Sequence, residues 1–67
     1  MEITVNNISQ KIEANTTLHD IAFFILGEKQ KGIAIALNNK VIPKSEWQTT
    51  HLKLNDNLLI IKATQGG

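Results

Sequence analysis

The order of apolar and polar residues predicts a hairpin, a helix, a second hairpin and a last strand. In "MEITVNNISQKIE" a two-residue turn at Asn6-Asn7, where positive φ is tolerated, sets the pairing. Val5 then faces Ile8, Ile3 faces Gln10 and Met1 faces Ile12. On the other side Thr4 faces Ser9, and Glu2 faces Lys11 as an opposite-charge pair. One face is mainly apolar and the other polar, as in a sheet buried on one side; Gln10 is the misfit.

"NTTLHDIAFFILG" carries a helical period. Thr17 is placed to cap it, and Asp20 in the first turn suits the helix dipole. Leu18, Ile21, Ala22 and Ile25 fall on one face, at i, i+3, i+4 and i+7, and Gly27 supplies a left-handed stop. Phe23 points nearly opposite that stripe and Phe24 lies on its flank. Two readings stand for the pair: cover for neighbouring loops, or contact with a partner.

"GIAIALNNKVIP" predicts a strand, a turn at Asn38-Asn39 and a short strand stopped by Pro43. "KSEWQTTHLKLNDN" lacks a long period, so it reads as loop with one helical turn near Ser45 to Trp47. Asn55-Asp56-Asn57 signals a turn. The four large apolar residues opening "LLIIKA" suggest a central strand covered on both faces. One helix over a four- or five-stranded mixed sheet, with the last strand parallel to the first, is the α+β architecture called β-grasp, or ubiquitin-like. Residues 1–63 form that domain, and 64–67 are expected to be a flexible Gly-Gly tail.

Composition narrows the function classes. A chain of 67 residues holds one domain, and 42% hydrophobic content favours a folded one over disorder. There is no cysteine, which fits a reducing, cytoplasmic setting. No basic region with an apolar run follows Met1, so no signal peptide is expected, and no apolar stretch is long enough for a bilayer. Seven lysines against six acids leave a net charge of +1, poor equipment for gripping nucleic acid.

Few residues offer chemistry. His19 and His51 have no ligand-type spacing, Asp20 and Glu28 read as solvated helix charges, and Gly27 and Gly32 do not make a phosphate loop. No metal site is expected, and an enzyme is disfavoured. What stands out is "TQGG", Thr64 to Gly67, directly after the strongest strand. Fully extended, four residues reach roughly 13 Å. The two glycines let the tip enter a channel too narrow for side chains. The distinctive group is the α-carboxylate of Gly67, ionised at neutral pH and inert to nucleophiles until activated. ATP can activate it as an acyl-adenylate; a sulfur nucleophile then displaces AMP and leaves a thiocarboxylate.

With "TTLHDI" before it and "QGG" at the end, "GIAIALNNKVIPKSEW" resembles the ThiS family of sulfur carriers in thiamine thiazole biosynthesis. The likeness covers nearly the whole chain. Its most specific parts are Ala36-Leu37-Asn38, Val41-Ile42-Pro43, Ser45, Trp47 and Gly66-Gly67. Two departures stand out. Lys44 replaces a common arginine, and Leu54-Asn55-Asp56 replaces Asp-Gly-Asp; Asn55 can take the left-handed conformation. The resemblance implies that Gly67, preceded by Gly66, is adenylated by an E1-like, ThiF-type enzyme with ATP and Mg²⁺. Sulfur comes ultimately from cysteine through a desulfurase, and the thiocarboxylate serves thiazole synthase. No cofactor is expected to stay on this chain, and a monomer is expected. Apolar sheet residues around the tail are expected to dock partners, with Thr64 and Gln65 beside the tip and Phe23 and Trp47 as further candidates. Trp47 reads equally as packed core or loop pin.

Two alternatives share the tail chemistry. One is a molybdopterin synthase small-subunit type of carrier, for which the chain is short. The other is a ubiquitin-like modifier, in which a lysine amine traps the adenylate. A β-grasp binding module with an irrelevant tail is a third reading.

Overall fold

The structure, a computed structural model, describes residues 1–29 and 31–62. The first hairpin joins β1 (Glu2–Val5) and β2 (Ile8–Lys11) in the expected register, from Glu2 opposite Lys11 to Val5 opposite Ile8. Asn6 and Asn7 both have positive φ, 52° and 68°, the requirement of the tight turn that matches strand twist. Met1 and Ile12 add a rung, exchanging hydrogen bonds of 2.7 and 2.8 Å.

Helix α1 (Leu18–Leu26) starts with a full capping box. The Thr17 hydroxyl accepts from the Asp20 N–H, and the Asp20 carboxylate accepts from the Thr17 N–H, both at 3.1 Å. Gly27 ends the helix at φ 62°, and its N–H donates to the Phe23 carbonyl. Leu18, Ile21 and Ala22 are buried as expected, but Ile25 is substantially exposed. Ile25 lies in the last turn of α1, beyond the helix residues that belong to the core.

The second hairpin pairs β3 (Ile33–Leu37) with β4 (Lys40–Ile42) through Asn38 and Asn39, at φ 51° and 72°. A 3₁₀ helix (Lys44–Thr49), longer than the single turn expected, leads back toward the start of α1. There the Leu18 N–H donates to the Thr50 carbonyl and the Leu52 N–H to the Thr16 carbonyl. Asn55 takes the left-handed conformation, φ 68°, before β5 (Asn57–Lys62). The sheet order is β2-β1-β5-β3-β4, with β5 parallel to β1 and antiparallel to β3. This is the β-grasp arrangement.

The core lies between α1 and one sheet face. Ile3, Val5, Ile35 and Leu58 meet Leu18, Ile21 and Ala22, and Trp47 and Leu52 close the side. Two expectations need correction. β5 is central, but only one of its faces is covered: Leu58 is buried whereas Ile61 is half exposed. A nine-residue helix, about 14 Å long, supplies one layer, and no second layer lies on the other face among the described residues. Ile8 faces Val5 yet is exposed, because it begins the edge strand β2, directly after the Asn6-Asn7 turn, and has a neighbouring strand on one side only.

Candidate functional site

The strand registers divide the open face of the sheet into two halves. Side chains alternate across a strand, so Ile33, Ile35 and Leu37 turn toward the core and Ala34 and Ala36 turn away. Ala34 lies opposite Ile61, and Ala36 lies between Leu59 and Val41. Small residues flanked by large ones make a shallow apolar trough. Val41 is 61% exposed and Ile61 48%, while Ala36 is shielded by its neighbours. The other half, on β1 and β2, is polar: Glu2 opposite Lys11, and Thr4 opposite Ser9. The apolar half therefore borders β5, the strand whose sequence continues to Gly67.

Hydrogen bonds at the start of β5 hold that strand in register. The Asn38 N–H donates to the Asn57 carbonyl at 2.8 Å, and the Asn57 N–H donates to Asn38 Oδ1 at 2.9 Å. Asn38 Nδ2 donates to Asp56 Oδ1 at 3.0 Å, and the Lys53 N–H donates to Asp56 Oδ2 at 2.7 Å. Asp56 is buried, so these bonds replace the water its carboxylate loses. Thr4 Oγ1 donates to Asn57 Oδ1 at 2.9 Å and ties in β1.

The residues singled out in the sequence do not converge. Trp47 is only 1% exposed, and its indole N–H donates to the Ile42 carbonyl at 2.9 Å. It is a core residue that pins the 3₁₀ helix to β4, which corrects its candidacy as a docking side chain. Lys44 Nζ lies 5.9 Å from the Trp47 ring centroid, the outer limit of a cation–π contact. Phe23 and Phe24 are exposed, at 55% and 78%, but they sit on α1, across the core from the open sheet face. Thr64, Gln65, Gly66 and Gly67, and with them the proposed tail 64–67, lie outside the described residues. His19 and His51 join no cluster able to hold a metal among the described residues. The apolar residues Val41, Leu59 and Ile61 were not singled out as site residues. The alternation of large and small in "IAIAL", joined to a central β5, is the signal that points to them.

The family model of ThiS matches residues 2–67. Over all 67 residues of both chains, the sequence is 27% identical to the sulfur carrier protein ThiS of Escherichia coli (strain K12). The crystal structure of a thiamine biosynthesis protein (ThiS) from Geobacter metallireducens superposes with a TM-score of 0.86 at 17% identity, covering 100% of both chains. An NMR solution structure of a thiamine biosynthesis protein from the same organism gives 0.77 at 17% identity, covering 100% of this chain and 88% of that one. At such identity these two structures speak for the fold. Matched over all but its first residue, and carrying the fold and the double glycine, this chain belongs to the ThiS family.

Proposed function

We propose that this protein is a sulfur carrier in thiamine biosynthesis, not itself an enzyme, whose reacting group is the carboxylate of Gly67. The observation that carries this reading is the family match from residue 2 through the double glycine. A carboxylate oxygen attacks the α-phosphorus of ATP and pyrophosphate leaves. A sulfur nucleophile then adds to the acyl carbon and AMP leaves, so a C–S bond replaces a C–O bond. Gly66 and Gly67 place no side chain near that carbon, which permits close approach. ATP and Mg²⁺ belong to the activating enzyme, an E1-like partner of ThiF type. The sulfur comes ultimately from cysteine through a desulfurase persulfide: attack by its outer sulfur gives an acyl disulfide, a thiol reduces the S–S bond to release the thiocarboxylate, and thiazole synthase receives the sulfur.

The apolar half of the open face is the proposed docking surface for these partners, with Thr64 and Gln65, which lie outside the described residues, as further contacts by their place in the sequence. Val41, Leu59 and Ile61 provide large apolar contacts beside the polar β1–β2 half, a pattern suited to a partner with an apolar centre and a polar rim. Phe23 lies on the opposite side, so a single flat partner surface cannot touch both. The carrier works as a monomer in the cytoplasm. No helix among the described residues is long and apolar enough to cross a membrane.

The test is incubation with a ThiF-type enzyme, ATP and a sulfur source, followed by intact-mass analysis. Exchange of one terminal oxygen for sulfur supports the reading. An isopeptide ladder instead assigns the chain to protein modification.

A further inference from the structure

We infer that Asn6 is a positioning residue for the reactive tail, because its side chain replaces a backbone carbonyl in the sheet and holds β5 where β1 has already ended. The proposal rests on the carrier reading. β1 stops at Val5, paired with Leu58, while β5 runs on to Lys62. The Asn6 N–H still donates to the Leu58 carbonyl at 2.9 Å. In a continuing parallel strand the carbonyl of residue 6 would next accept from the Ile60 N–H. The positive φ of Asn6 takes its backbone out of the strand. The bond is made by Asn6 Oδ1 instead, which accepts from the Ile60 N–H at 2.8 Å.

Asn6 thus does two separable things. It takes the left-handed conformation the turn needs, which glycine also does. It also supplies an acceptor to β5, which glycine cannot. Ile61 and Lys62 follow directly and are paired on their other side with Ala34 and Ile33 of β3. The Asn6 bond restrains β5 from the β1 side at its last described rungs, from which the sequence proceeds to Gly67. Losing it loosens β5 at Ile60, two residues before the strand ends at Lys62. The activating enzyme must then order the strand that carries the reacting group in sequence.

Three variants separate the roles: Asn6→Gly, Asn6→Asp and Asn7→Gly. Asn6→Gly keeps the turn and removes the acceptor; Asn6→Asp keeps an acceptor; Asn7→Gly changes the turn alone. Amide exchange at Ile60 is expected to accelerate about fivefold in Asn6→Gly, measured relative to Asn7→Gly. With a ThiF-type enzyme, kcat for activation of Asn6→Gly is expected to fall roughly tenfold with KM nearly unchanged, and Asn6→Asp to recover most of it. Equal Ile60 exchange and equal kcat in the two glycine variants overturns the proposal. So does a loss of activation that simply follows global stability. If the unaltered chain is not activated at all, the carrier reading fails; Ile60 exchange, which needs no enzyme, still decides for or against the Asn6 restraint.

Discussion

Asn38 and Asp56 join the β3–β4 turn to the turn before β5, the Asn38 amide donating to the buried Asp56 carboxylate at 3.0 Å. The same carboxylate holds the Lys53 N–H, and the same asparagine holds the Asn57 N–H. Asp56→Ala removes two accepted bonds from a site that excludes water. It is expected to lower unfolding stability by about 2–4 kcal/mol in urea titration. Asn38→Gly keeps the turn conformation and loses only the side-chain bonds, so its cost is smaller. The double variant is expected to be less destabilised than the sum of the two.

Trp47 fills the side of the core and bonds to Ile42. Trp47→Ala is expected to cost about 3–5 kcal/mol, enough to unfold much of so small a domain. Trp47→Phe keeps most of the volume and leaves the Ile42 carbonyl without its indole donor, at about 1–3 kcal/mol. Circular dichroism melts rank the two. A Trp47→Ala variant as stable as the unaltered chain would contradict the core assignment.

Val41 and Ile61 are exposed on the open face, so charge there is tolerated by the fold but not by an apolar partner. Val41→Lys is expected to change stability by no more than about 0.5 kcal/mol, yet to weaken binding to the activating enzyme at least tenfold. Phe23→Ser on α1 serves as the comparison and is expected to leave that binding intact. Calorimetric titration of the three chains distinguishes the faces. Lost binding in Phe23→Ser alone would move the docking surface to the helix.

Deleting Gly67 is expected to leave the melting temperature unchanged and to abolish sulfur loading in intact-mass assays, because the remaining carboxylate sits one residue short of the reaction centre. Loading of the shortened chain at the original rate would refute the assignment of the reacting group.

Thr17 and Asp20 satisfy each other's backbone N–H at the start of α1. Thr17→Ala is expected to cost about 1 kcal/mol, seen as a lower denaturation midpoint with unchanged slope.

Local chemistry made several of these features legible before any fold was known. Asparagine pairs between strands of period two specify tight turns, and a turn of fixed length specifies its hairpin register, so the Glu2–Lys11 and Val5–Ile8 pairings follow from neighbouring residues alone. The capping box spans three residues and is equally local. Ile25 and Ile8 show the limit of such reasoning. Each lies on the predicted apolar side, but whether that side is covered depends on where a distant element ends.

The residue order by itself determined the elements, their turns and the β-grasp layering, because those depend on backbone preferences within a few positions. Tertiary structure decided which apolar residues remain in water. Among the described residues one short α-helix packs one face of the five-stranded sheet and leaves the other unpacked, so Leu58 is buried while Ile61, three positions on and of opposite parity, stays open. Tertiary contact alone also brings Asn6 to Ile60, 54 residues away in sequence. No period or propensity along the chain encodes that meeting.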